Sequence, residues 1–170
     1  MTRRDFFIKW LVYALALLPV LTLSLFILPR IPIFGTIPAL LPVAAITVAV
    51  LEGPVGGAGF GLFVGILADT LIPGIPGTMT FALSFLGGAA GAAARYGVRQ
   101  NLPGCLTCSA GALILINAVR VLFLFLRSTA PLIPLLLTAT KEIFWSLVFL
   151  PLVYGIFLWV FHRVPKATVF

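Results

Sequence analysis

Four polar residues, Asp69, Asn117, Arg120 and Glu142, stand inside long apolar stretches of this chain. A charged side chain left unpaired at the bilayer centre costs about 3 kcal/mol or more, so such residues need either a partner or a task. Counted from the ends of their apolar runs, Asp69, Arg120 and Glu142 fall in the same outer zone of three different segments, with Lys141 beside Glu142. A mutual cluster of Arg120 with Asp69 or Glu142 is the least costly arrangement. Asn117 precedes Arg120 by three and shares its helical face, while Thr138, Glu142 and Ser146 form a stripe of their own. Two kinds of chemistry are open to such a group. One is an internal ion-pair network that fixes helix register; the other is a polar pocket on the outer side that holds a ligand or a partner's side chain. Glu52 differs, because it precedes Gly53 and Pro54 at an inner helix end where headgroups or water reach it. It reads as a turn residue.

Other reactive residue types form no site. Cys105 and Cys108 make a CxxC pair, but a zinc centre takes four ligands and His162 is the only histidine in the chain. The thiols read as small packing residues, and His162, beside Arg163, as a cap on helix-end carbonyls. No GxxxxGK[ST], HExxH or GxSxG occurs, and GAGFGLFVG lacks the third glycine of a dinucleotide fingerprint. The sequence therefore carries no enzyme signature and implies no cofactor and no metal.

The elements that position these residues are membrane helices. Of 170 residues, 62% are hydrophobic and 9% charged, and the mean hydropathy is +1.23. Whole stretches are apolar at every position, which fits helices and excludes a barrel with alternating faces. The expected fold is an all-α polytopic membrane protein, one membrane domain over residues 1–170. Spans of about 20 apolar residues are predicted at about 10–28, 37–51, 55–72, 78–94, 105–126 and 133–161. The second is short and follows prolines at 29, 32, 38 and 42, so it is expected to tilt little or to lie broken among its neighbours. The sixth exceeds one straight span and contains Pro134 and Pro151 as bending points.

Basic residues set the expected orientation. Arg3, Arg4, Lys9, Arg95, Arg99, Arg163 and Lys166 fall on one side of a six-span arrangement, and Arg30 and Arg127 on the other. Both termini are then cytoplasmic. The net charge of +7 sits at membrane edges rather than in a nucleic-acid groove. TRRDFFIK at 2–9 has paired arginines like an export signal, but no small-residue cleavage site follows, and Arg3 and Arg4 read as a positive-inside anchor.

Glycines recur every four residues at Gly57, Gly61 and Gly65, ending on Asp69, and again at Gly87 and Gly91, ending on Arg95. Each set is one narrow stripe on a helix, and small stripes let backbones approach closely. The stripes serve either packing inside this chain or docking of a partner helix.

The segment GFGLFVGILADTLIPGIPGTMTFALSFLGGAAG, residues 59–91, resembles the signature of the MreD family of rod shape-determining membrane proteins. Asp69 falls on that family's acid position, and Gly59, Phe60, Gly65 and Gly77 fall on its glycine and phenylalanine positions. The resemblance implies a non-enzymatic scaffold of the bacterial elongation machinery in the cytoplasmic (inner) membrane. It would bind the bitopic protein MreC and support peptidoglycan synthesis with MreB and the cell-wall polymerase and transpeptidase, directly or through intermediates. It also implies a six-helix bundle like the substrate-binding S-component of energy-coupling-factor vitamin transporters. Such a component is the alternative function, and its docking helix typically carries AxxxA, where the first span here has only Ala14 and Ala16. The sequence departs from that family in the exceptional glycine and alanine content of residues 87–94 and in Arg120 and Glu142, which have no assigned family counterpart.

Overall fold

The computed structural model describes residues 3–30, 38–71, 77–96, 102–126 and 132–163. Those residues form six α-helices and no strand: α1 Arg3–Thr22, α2 Leu40–Glu52, α3 Pro54–Leu71, α4 Thr78–Tyr96, α5 Leu102–Leu126 and α6 Leu132–Arg163. Of the basic residues that set the expected orientation, Arg99, Arg127 and Lys166 lie outside the described residues. Four helical stretches are long and apolar enough to cross a membrane: Ile8–Ile27, Pro54–Leu71, Leu102–Leu126 and Ile133–Arg163. The chain is an all-α protein of the membrane type.

The bundle is organised around α2. Its residues are apolar at nearly every position, and Leu40 through Leu51 are all buried, as a helix without a polar face must be. At 1.5 Å per residue its 13 residues extend about 20 Å, less than the roughly 30 Å of a hydrocarbon core. Its ends therefore need partners from this chain. At the N-terminal end the Ala39 amide donates to the Ser146 hydroxyl at 2.9 Å, and Pro42 in the first turn has no amide to satisfy. At the other end Gly53, with φ +88°, turns the chain out of the helix and donates to the Ala49 carbonyl at 2.9 Å.

Helices α3 and α4 form the closest pair, packed antiparallel, and α4 is entered from Gly77, whose φ is +86°. Their glycine stripes face each other's helix. A Cβ on Gly57 would lie 2.5 Å from the Gly87 carbonyl oxygen. Gly61 lies against the Leu83 carbonyl, Gly65 against Thr80 and Gly91 against Gly53. Backbones this close leave no room for side chains. Both stripes are thus packed within the chain. The cost to α4 is its composition, since Thr78, Thr80, Ser84 and a run of glycine and alanine leave it outside the set of helices apolar enough to cross alone.

The first helix continues past Thr22 as a π-helical turn, Leu23–Ile27, and a 3-10 turn, Leu28–Arg30. The Leu28 amide reaches back to the Leu23 carbonyl, five residues away. Pro19 lies within α1, and the Thr22 hydroxyl donates to its carbonyl at 2.9 Å. The last helix runs unbroken through Pro151 for 32 residues, about 48 Å at 1.5 Å per residue.

Candidate functional site

The more enclosed of the two ion pairs among the described residues lies at the C-terminal end of α2. Lys9 and Tyr13, one turn apart on α1, both point at Glu52. The Lys9 ammonium pairs with one carboxylate oxygen, and the Tyr13 hydroxyl donates to the other at 2.6 Å. The Lys9 and Glu52 side chains are 10% and 9% exposed, and Tyr13 is fully buried. Rings from three helices enclose the group. Trp10 stacks on Phe60 at 6.1 Å, and Tyr13 packs edge-on to Phe60 at 6.1 Å and stacks on Phe157 at 6.3 Å. Glu52 is therefore not a solvated turn residue but the acceptor that fixes α1 to α2. The sequence held one signal for it: Lys9 and Tyr13 at i and i+4 on a helix end, with an acid at the same end of the next helix.

At the opposite end of the bundle, the Arg120 guanidinium on α5 meets Glu142 on α6 at 3.3 Å. Their side chains are 55% and 19% exposed. Asn117 shares the buried side of α5 and donates to the Leu113 carbonyl at 3.1 Å within its own helix. On α6, Ser146 donates to the Glu142 carbonyl at 2.6 Å while accepting from Ala39, and Thr138 donates to the carbonyls of Pro134 and Leu135. The stripe Thr138, Glu142, Ser146 thus serves helix ends and the ion pair.

Asp69 does not join them. Its carboxylate accepts from the Met79 amide at 3.2 Å, the Thr80 amide at 3.0 Å and the Thr80 hydroxyl at 2.5 Å. It caps the first turn of α4 from the last turn of α3. The reason is register: Asp69 stands one turn beyond Gly65, and Gly65 is pressed against Thr80. A negative charge at a helix N-terminus meets both unpaired amides and the positive end of the helix dipole. The expected outer cluster of Asp69, Asn117, Arg120 and Glu142 is thereby reduced to the pair Arg120 and Glu142.

Comparison with protein-family models, with curated proteins and with solved structures returns no match in any of the three. Cys105 is a buried free thiol that donates to the Thr47 hydroxyl at 3.5 Å and lies 3.9 Å from the Ser109 hydroxyl. Cys108 is a half-buried free thiol. His162 Nδ1 lies 2.8 Å from the Leu158 carbonyl. Arg163 stacks over Trp159 with its guanidinium 4.7 Å from the ring centre. Among the described residues no three His, Cys, Asp or Glu side chains gather closely enough to hold a metal. The carboxylates of Glu52, Asp69 and Glu142 are each engaged by donors of this chain, so their first task is to join helices.

Proposed function

We propose that this protein is a non-enzymatic scaffold of the bacterial cell-elongation machinery in the inner membrane, of the MreD kind. It binds an MreC-like bitopic protein and supports peptidoglycan synthesis alongside MreB and the elongation polymerase and transpeptidase. One observation supports the reading: three of the residues that bear the resemblance, Gly65, Asp69 and Gly77, lie together where α3 joins α4. Gly65 and Asp69 join α3 to the first turn of α4, Gly77 leads into that turn with a positive φ, and Phe60 sits among the rings beside Glu52. Gly59 faces outward with open space around it. A sequence signature that builds a rigid hairpin, with its carboxylate engaged in capping, suits a protein that presents a surface rather than one that turns over a substrate. Both termini are cytoplasmic in this reading, as the distribution of Lys and Arg implies.

Affinity purification of the tagged full chain from its native membrane in mild detergent tests the proposal. Recovery of a bitopic MreC-like protein with elongation enzymes supports it. Recovery of two cytoplasmic ATPases and a coupling membrane subunit replaces it with the transporter component.

A further inference from the structure

Arg120 and Lys141 are exposed cations on helices that otherwise show lipid-compatible side chains to the outside. Their depth follows from helix length. Arg163 stacked on the exposed Trp159 marks one membrane boundary on α6, because paired basic and aromatic side chains anchor at headgroup level. From Arg163, Glu142 is about 31 Å and Lys141 about 33 Å away along the helix at 1.5 Å per residue. Arg120 on α5 shares that level, since its guanidinium meets Glu142 at 3.3 Å. Counted from Arg163, a hydrocarbon core of about 30 Å ends near Glu142 and Lys141, where the long Arg120 and Lys141 stems reach headgroups, and exposed apolar side chains such as Leu126 and Ile133 continue both helices past that level.

At that level the two cations are underused by the protein. Arg120 spends one contact on Glu142, at 3.3 Å, with more than half of its side chain exposed, although a guanidinium carries five N–H donors. Lys141 is exposed, and among the described residues it forms no ion pair or hydrogen bond. With Glu142 the group keeps a net positive charge of one. Below Lys141, toward the bilayer centre, Phe144, Val148 and Leu152 continue its face of α6 and are 62%, 50% and 52% exposed. Cations at headgroup level above an exposed apolar track match the shape and charge of a phospholipid.

We propose that Arg120 and Lys141 bind the phosphate of an anionic phospholipid in the leaflet opposite the Lys9–Glu52 end, with an acyl chain lying along Phe144, Val148 and Leu152. Net positive charge favours an anionic headgroup over a zwitterionic one. Nothing in this proposal depends on the scaffold reading.

Trp145, four residues from Lys141, reports on the site. In the full chain carrying Trp10→Phe and Trp159→Phe, its fluorescence is followed in detergent micelles as brominated phosphatidylglycerol or brominated phosphatidylcholine is added. The parent chain is expected to be quenched at a several-fold lower mole fraction of phosphatidylglycerol. Arg120→Gln with Lys141→Gln makes the two lipids equivalent. Lys141→Gln alone, at an exposed position with no partner among the described residues, reduces the preference without a folding defect. Equal quenching by both lipids in the parent chain overturns the proposal and leaves Arg120 to a protein carboxylate. A preference unchanged in the variants also overturns it. Excess inorganic phosphate leaves the preference in place; if it abolishes the preference, the ligand is a soluble phosphate and the lipid assignment fails.

Discussion

Asp69 and Thr80 close the α3–α4 hairpin. The carboxylate takes both the amide and the hydroxyl of Thr80, at 3.0 and 2.5 Å, and adds the Met79 amide. Replacing a side-chain cap by alanine costs about 1–2 kcal/mol, and the charge adds to that through the helix dipole. Asp69→Ala is expected to lower stability by this amount, with Asp69→Asn intermediate, because an amide keeps an acceptor but loses the charge. Unfolding titrations in mild detergent read both. Combined with Arg120→Leu, the Asp69→Ala loss adds to within about 0.5 kcal/mol, as for sites that share no partner. Strong coupling between the two would return Asp69 to the outer cluster.

The Lys9–Glu52 pair behaves in the opposite way, because its members are buried together. Removing one partner of a buried ion pair strands the other and costs about 3–5 kcal/mol, whereas replacing both by apolar groups is often neutral. Lys9→Met and Glu52→Leu are each expected to destabilise strongly. The double variant recovers most of that loss, less the contribution of Tyr13, whose hydroxyl is then orphaned. A double-mutant cycle on the same titrations measures the coupling, and Tyr13→Phe added to the double variant removes the residual penalty. Additive losses would mean that water reaches Glu52.

Hydropathy made the membrane class and the six helices legible, because lipid leaves a chain few alternatives to apolar helices. It also revealed depth, which is why Asp69, Arg120 and Glu142 fell in one zone when counted from their span ends. Depth is a single coordinate. Which residues meet depends as well on the direction each faces, and that is set by the neighbour a helix acquires in the bundle. Gly65 against Thr80 turns Asp69 toward α4 and away from Arg120. The same limit hid Glu52. Its place before Gly53 and Pro54 looked open to headgroups, but α2 is enclosed on every side. A helix of 13 residues, apolar at nearly every position, was itself a warning that its terminal acid would be covered.

The Arg120–Glu142 contact is expected to contribute little to stability. With Arg120 55% exposed and the contact at 3.3 Å, it resembles a surface pair, typically worth about 0–1 kcal/mol. Arg120→Leu is expected to change unfolding by no more than this, far less than Lys9→Met. A loss of several kcal/mol would show that Arg120 is enclosed in the membrane, and would move the boundary inferred along α6.

The glycine stripe offers the sharpest contrast, because two glycines on α3 two residues apart face opposite surroundings. A Cβ on Gly61 would run into the Leu83 carbonyl, a backbone atom that cannot turn aside, whereas one on Gly59 would meet nothing within 4 Å. Gly59→Ala gains the helix propensity of alanine, about 1 kcal/mol, at no steric cost. It is expected to be neutral or stabilising. Gly61→Ala makes the same gain but must push α3 and α4 apart along their whole contact, and Gly61→Leu more so. Since α4 is not apolar enough to cross by itself, a loosened hairpin exposes Thr80 and Ser84 to lipid and separates Asp69 from the amides it caps. Gly61→Leu is therefore expected to lose folded protein in detergent, Gly61→Ala to lower its unfolding midpoint, and Gly59→Ala to match or exceed the parent. Equal midpoints for the two alanine variants would mean that α3 and α4 do not touch through this stripe.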